Sequence, residues 1–309
     1  MATGPGERGE FELLAGWRAR LAGRAGPGEV HSGDDAAVLR PAAGALLFAT
    51  DVAVEGVHFD LSLTSPADAG WKVAVANLSD IAAMGGRPTH LVAGVAGPGA
   101  GLLEEVFEGL VAACERYGTA LVGGDLSRAD QLFLSVAILG EAPGTGAVLR
   151  SGGRPGDDLY CTGPLGAAAA GLRLLRADAG ASGPLVEAHA RPRPRLREGQ
   201  LAARLGARAM IDVSDGLAQD LAHLTAESGV GAELAEVPRA EGASEEEALS
   251  GGEDYELVFA LAPGEQVAEA FLAEGLLPPL RIGRLVETGT LSLRGEPLEA
   301  VGYRHDLES

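Results

Sequence analysis

The sequence predicts a mixed α and β protein of two domains, and three observations carry that reading. Apolar runs of strand length alternate with helix-length periodic segments in both halves. A stretch at 141–156 holds five glycines and two prolines, the composition of a connection between domains. The chain is 309 residues long, enough for two ordinary cores. The glycines between elements leave α/β and α+β both open on pattern alone.

Taken in order, residues 11–21 read as a helix followed by a Gly-Pro-rich connection. Segments 36–39 and 45–50 read as strands. Ser65-Pro66-Ala67-Asp68 is a helix start, with a capping serine, proline in the first turn and an acid at the third position. That helix runs to about Met84, where Gly85, Gly86 and Pro88 stop it. A strand (89–95), a helix (102–117) and strands at 120–122 and 132–139 complete the first half. The second opens with a strand at 158–162 and a glycine turn leading into an Ala-rich helix at 167–176. Arg191-Pro-Arg-Pro-Arg195 reads as an exposed extended connector, since each proline disfavours helix before it. A strand (209–213), a helix (215–227), a strand (255–261), a helix near 266–274 and short strands follow.

Composition excludes several classes. The chain is 46% hydrophobic and 22% charged, as soluble globular proteins are. No apolar run approaches the roughly 20 residues of a membrane-spanning helix. The N-terminus shows no basic-then-apolar secretory pattern, and two cysteines, Cys114 and Cys161, make neither a disulfide framework nor a zinc set. The expectation is a cytoplasmic protein. A net charge of −20 argues against nucleic acid or an anionic membrane as partner. Lys72 is the sole lysine and no P-loop pattern is present, so a bound polyphosphate would need metal ions, arginines and backbone amides.

Five segments share one layout, a short apolar run, a small-residue turn and carboxylates at the junction: Gly33-Asp34-Asp35, Thr50-Asp51, Gly123-Gly124-Asp125, Asp212-Val-Ser-Asp215-Gly216 and Gly251-Gly-Glu253-Asp254. Asp80, with Asn77 three residues before it on the same helix face, adds a sixth acid. Magnesium takes oxygen ligands, usually one or two carboxylates with water and phosphate. Any single segment is better explained as a turn or cap, Asp215 at its helix start with Ser214 as the cap being the plainest instance. Five together point to a metal-phosphate site. His58, flanked by apolar residues, reads as a core or turn residue. The pair Ser214 and His223 lacks a nucleophile elbow, and the turn at Gly163–Gly166 suits an anion or a plain strand-to-helix connection equally. Arg150, at the domain boundary, suits a phosphate clamp or an ordinary surface position.

Read in order, GDDAAVL (33–39), TDVAVEGVHF (50–59), KVAVANLSDIAAMGGRP (72–88), LVGGDLSR (121–128), LRSGGRPGDDLYCTGPLG (149–166), IDVSDGLAQDL (211–221) and SGGEDYEL (250–257) resemble the thiamine-monophosphate kinases, within the wider family of aminoimidazole ribonucleotide and selenophosphate synthetases. The resemblance implies an α+β (mixed α/β) fold: an N-terminal domain at 1–145 that binds ATP and metal and dimerises through a shared sheet, and a C-terminal α/β domain at 146–309. It implies ATP-dependent phosphorylation of thiamine monophosphate with several magnesium ions, in a homodimer. It places metal ligands on Asp35, Thr50, Asp51, Asp80, Asp125, Asp212 and Asp215. Nucleotide contacts fall on Gly124, Asp125, Arg150 and Ser214, and substrate contacts on His58, Glu253 and Tyr303. Leu126 and Ala49 stand where relatives commonly carry threonine and serine. The alternatives are another ATP-dependent synthetase of this family acting on a ribonucleotide, and a noncatalytic metal-phosphate binding module. Selenophosphate synthesis lacks its expected reactive Cys or Lys.

Overall fold

The computed structural model describes residues 10–21, 23, 25–27, 29–31, 36–40, 44–264, 266–287 and 289–303. The chain forms two compact units, one of residues 1–78 and 88–141, the other of 79–87 and 142–309. The expected α and β mixture is what the chain adopts.

The first unit holds helix α1 (Glu10–Leu21), strand β1 (Leu46–Val54), most of helix α2 (Pro66–Ala83), strand β2 (Arg87–Gly97), helix α3 (Ala100–Tyr117), and strands β3 (Ala120–Arg128) and β4 (Phe133–Glu141). The strands form one sheet in the order β1-β4-β2-β3. Ser65 starts α2 as expected: its hydroxyl accepts from the Asp68 amide at 3.1 Å and donates to the Asp68 carboxylate at 2.7 Å. Glycine lets α2 and α3 cross closely. A Cβ on Gly70 would lie 2.2 Å from the Val106 carbonyl, and one on Gly109 would lie 1.9 Å from that of Ala67. Segment 36–39 is not a strand; Val38 makes a single antiparallel bridge to Val30. With so short an apolar run, no ladder can propagate beyond one pair of bonds.

Alternation along β1 separates two faces. Leu46, Phe48, Thr50 and Val52 are exposed, while Leu47 is buried and Asp51 shares its side. In the β1/β4 register Asp51 sits opposite Val136, between the buried Leu134 and Ile138. Thr50 and Asp51 therefore point to opposite faces.

The second unit contains a seven-stranded sheet and most of the helices. Its strands are β5 (Asp158–Cys161), β6 (Ala209–Asp212), β7 (Gly231–Leu234), β8 (Leu257–Leu261), β9 (Leu280–Val286), β10 (Leu291–Leu293) and β11 (Glu296–Pro297), in the order β11-β10-β7-β9-β5-β8-β6. The helices are α4 (Ala167–Ala177), α5 (Pro184–Ala190), α6 (Leu196–Arg204), α7 (Leu217–Ser228), α8 (Glu245–Ser250) and α9 (Val267–Ala273). Leu159, Ile211, Leu217, Leu221, Val258 and Ile282 form the middle of its core. Segment 191–195 is not the exposed connector expected. Pro192 and Pro194 are buried, and Arg195 reaches inward to the buried Glu256. The alternation of proline and arginine, read as solvation, is a two-sided extended segment.

Candidate functional site

In the first unit, β1 and β3 are opposite edges of the sheet, so Thr50-Asp51 and Gly124-Asp125 are separated by three strand spacings, about 14 Å laterally. Thr50 donates its hydroxyl to the Val136 carbonyl at 2.8 Å. Gly124 faces Ala93 of β2 in the ladder, where a Cβ would lie 2.0 Å from the Ala93 carbonyl. Strand contact alone thus requires glycine there, and it leaves Gly124 and the following Asp125 exposed. Both residues line a cavity of about 650 Å³ that Trp17, His31, Val92 and Phe107 also line. His58 closes the turn after β1: its Nδ1 accepts from the Val54 amide at 3.0 Å, so the ring proton sits on Nε2. Asp35 lies outside the described residues. Leu126 is buried, so the position that carries threonine in relatives is an apolar core position here.

In the second unit, Asp212 ends β6 with 5% of its surface exposed. Burial raises its carboxyl pKa, opposed by a hydrogen bond from Ser79 Oγ at 2.7 Å and by the charge of Arg150, while Asp215 adds repulsion. Asp80 follows Ser79 on α2, about 100° round the helix from it. Ser214, Asp215 and Gly216 form the turn into α7. Ser214 does not cap the helix as expected. The N-cap is Gly216, at φ 120°, and no side chain bonds to the helix from that position. Instead the amides of Ser214, Asp215 and Gly216 all donate, at 3.0 Å each, to one carboxylate oxygen of Asp220. Burial and the negative charge of Asp212 push Asp220 up to about 7, against those amides.

The same device recurs at α4. Asp254 accepts from the Gly166 amide at 2.6 Å and the Ala168 amide at 3.2 Å, and burial pushes its pKa up to about 7. The α4 start, which suited an external anion in the sequence, is occupied by a carboxylate of this chain.

The SGGEDYEL segment lies along the end of β6. Val213 donates to the Glu256 carbonyl at 2.7 Å, and the amides of Glu253 and Tyr255 donate to the Ser214 and Val213 carbonyls at 2.8 and 2.9 Å. Glu253 and Tyr255 hold φ of 59° and 51°, the left-handed region that side chains other than glycine rarely adopt. The Glu253 amide is held to the Ser214 carbonyl, and its carboxylate lies 3.8 Å from His189 Nδ1. From the other side the Tyr303 amide donates to the Asp215 carbonyl at 3.0 Å. Arg150, Asp212, Ser214, Asp215, Glu253 and Tyr303 are thereby gathered in one region of this unit. The side chains of Asp212, Ser214 and Asp215 offer carboxylate and hydroxyl oxygens, with the charge of Arg150 beside Asp212, a hard set that suits magnesium and phosphate rather than a thiophilic metal.

Two residues that shape this region were not singled out from sequence: Ser79 and Asp220. The spacing Asp215-Gly-Leu-Ala-Gln-Asp220, an acid one turn inside a helix that starts with glycine, is the signal that finds Asp220.

Comparisons with known proteins follow the same division. Residues 33–142 match the model of AIR synthase related protein, N-terminal domain, and residues 154–296 that of AIR synthase related protein, C-terminal domain. The thiamine-monophosphate kinase of Escherichia coli (strain K12) is 40% identical over 321 aligned positions, covering 96% of this chain and 98% of that protein. The crystal structure of thiamine-monophosphate kinase from Stenotrophomonas maltophilia superposes with a TM-score of 0.83 at 36% identity, covering 94% of this chain and 98% of the other. A structure described as AaThiL complexed with AMPPCP and TMP superposes at 0.77 with 32% identity, covering 96% and 97%.

Proposed function

Since the chain belongs to the thiamine-monophosphate kinase family, we infer that it transfers the γ-phosphoryl group of ATP to thiamine monophosphate, yielding thiamine diphosphate and ADP. The observation that carries this reading is the Asp212–Asp215 turn, framed by the strained Glu253 backbone and by the segment ending at Tyr303. It offers acids to hold cations.

That chemistry suits a phosphate acceptor. A phosphate monoester has its second pKa near 6, so at neutral pH the attacking oxygen needs no proton removed. The barrier lies in bringing two anions into line, and magnesium ions, when bound, supply the charge that offsets their repulsion. Asp35, Thr50, Asp51, Asp80, Asp125, Asp212 and Asp215 are the residues assigned to hold those ions. Asp51 and Asp125, on opposite edges of one sheet, attach to different ions within a single chain. Gly124, Asp125, Arg150 and Ser214 are assigned to the nucleotide; the exposed backbone at Gly124 suits approach of a phosphate oxygen.

His58, whose Nε2 carries the ring proton, is assigned as a donor to the thiamine phosphate. Glu253 is assigned to the substrate as well. The Tyr303 ring is 44% exposed and presents a face on which the cationic thiazolium gains about 1–2 kcal/mol by stacking. The first domain, 1–145, is assigned to ATP, metal and dimerisation, and 146–309 forms the second. A homodimer is supported by the exposed face bearing Leu46, Phe48, Val52 and Phe133. Cytoplasmic location is supported by Cys114 and Cys161 both being buried thiols.

The test is ADP formation by the purified protein across acceptors. ADP is expected only with both magnesium and thiamine monophosphate; ATP turnover indifferent to that acceptor overturns the assignment. Asp51→Asn and Asp215→Asn are each expected to lower turnover at least a hundredfold, about 2.7 kcal/mol of barrier, with far-UV circular dichroism unchanged. Full activity in both variants refutes the metal assignment.

A further inference from the structure

A second group of metal-competent side chains lies in the first unit, on residues other than those assigned to magnesium. Glu29 and His31 are alternate residues of a short extended segment held by the Val30–Val38 bridge, so they share a side. His90 belongs to β2. The two oxygens of the Glu29 carboxylate face one imidazole each: Oε2 lies 3.2 Å from His31 Nε2, and Oε1 lies 3.7 Å from His90 Nε2. The rings stand edge-on, with centroids 5.9 Å apart and planes at 84°. One ligand atom from each of the three residues lies within 4.8 Å of the others. All three side chains are largely buried, at 12%, 6% and 15% exposure for Glu29, His31 and His90.

We propose that Glu29, His31 and His90 bind one divalent transition-metal ion of the zinc class. Two imidazole nitrogens and a carboxylate are the donor set of zinc centres that keep a position open for water, whereas magnesium prefers an all-oxygen octahedron. Bonds of about 2.0–2.2 Å in a tetrahedral centre give ligand-to-ligand edges of about 3.4 Å. The two nitrogen-to-oxygen separations here, 3.2 and 3.7 Å, run to different oxygens of the carboxylate and bracket that value, the arrangement of a carboxylate that uses both oxygens.

The carboxylate is preset for the role. The backbone amides of Gly26 and Arg40 donate to its two oxygens at 3.1 and 3.2 Å, which fixes the carboxylate between the two rings. A plain ion pair needs one histidine, and two beside a single carboxylate exceed that need. His31 Nδ1 is buried and has no hydrogen-bond partner among the described residues, so the ring is not positioned by a hydrogen-bond network on that side. His31 also lines the 650 Å³ cavity, which gives the open coordination positions a route to water. Bound there, the ion ties the 29–31 segment to β2.

Cobalt(II) serves as the spectroscopic probe. Full-length protein, stripped with chelator and then saturated with magnesium to occupy the oxygen sites, is titrated with Co²⁺. One equivalent is expected, with the intense visible absorption of a four- or five-coordinate ion, displaced stoichiometrically by Zn²⁺. His90→Gln and His31→Asn are each expected to weaken Co²⁺ affinity at least tenfold while circular dichroism in chelator stays unchanged. Absence of the four- or five-coordinate absorption in the wild-type protein overturns the proposal. So does equal Co²⁺ affinity in the wild type and both variants. If a variant fails to fold, the wild-type spectrum and its displacement by Zn²⁺ decide the matter.

Discussion

The two units differ in where they place their carboxylates. Among the described residues, every carboxylate below 9% exposure (Asp157, Asp212, Asp220 and Glu256) belongs to the second unit. Each has a partner: Arg208 for Asp157 at 2.6 Å, Ser79 for Asp212, three amides for Asp220, and Arg195 with Thr162 for Glu256. Among the described residues the first unit buries no carboxylate to that degree, and its sheet leaves Leu46, Phe48, Val52, Val92 and Phe133 exposed. One unit internalises charge and so fixes the turn that carries Asp212 and Asp215. The other keeps an apolar face uncovered within the single chain. A buried, fully bonded charge gives a rigid local geometry, whereas an uncovered apolar face is stabilised by gaining a cover.

The largest effect on stability is expected where the second unit's buried pair is broken. Arg195 donates through Nε to Glu256 at 2.8 Å and through Nη2 to the other carboxylate oxygen, and Thr162 donates to the same carboxylate. Arg195→Met leaves Glu256 buried with half its partners, a change that costs about 3–5 kcal/mol. Denaturant midpoints measure it. A loss below 1 kcal/mol would mean that this charge is not what holds the SGGEDYEL segment, and the contrast between the units would weaken accordingly.

This pair also shows what the sequence left hidden. Its SGGEDYEL segment was visible as a glycine turn with acids, and so were the strands and helices around it: β1, α2, α3, α4 and β8 lie within a few residues of where apolar period and turn residues place them. The carboxylate segments at Thr50-Asp51 and Asp212–Asp215 were legible because turn glycines and strand ends are local signals. The partners were not. Arg195 and Glu256 are 61 residues apart, and Ser79 and Asp212 are 133 apart, so only the tertiary fold pairs them. Helices α5 and α6 were missed for a local reason: α5 is only seven residues long, and the proline run beside it suggested an extended connector. The occupied helix start at α4 misled in the other direction, because a free amide cluster and one filled by Asp254 look identical in sequence.

A smaller effect is expected from the first unit's face. Phe48 is 69% exposed and sits beside Leu139 in the β1/β4 ladder. If that face closes a homodimer, Phe48→Ser removes an aromatic anchor worth about 2 kcal/mol, roughly thirtyfold in Kd. Sedimentation velocity over a dilution series reads the change directly. The variant's unfolding midpoint measured as a monomer should stay within about 0.5 kcal/mol of wild type, since an exposed side chain contributes little to its own unit. A variant that dimerises as tightly as the parent assigns the interface elsewhere.

A further effect is a pH dependence carried by Asp254 of the second unit. Asp254 has its pKa raised to about 7 from an ordinary carboxylate value, with burial as the main cause and Glu256 as a further repulsion. A raised folded-state pKa means that the native chain holds this proton more tightly than the unfolded chain does. The stability it contributes is therefore present in full below the unfolded pKa of about 4 and is lost as pH rises toward 7. The slope cannot exceed about 1.4 kcal/mol per pH unit for one proton. Asp254→Asn removes the titration while its amide oxygen can still accept from Gly166, so the difference between variant and parent should shift in the variant's favour between pH 5 and pH 8. Chemical denaturation at those two values measures the shift. An unchanged difference would show that the helix-start amides of α4, not burial, set the state of this carboxyl, and that Asp254 is ionised throughout.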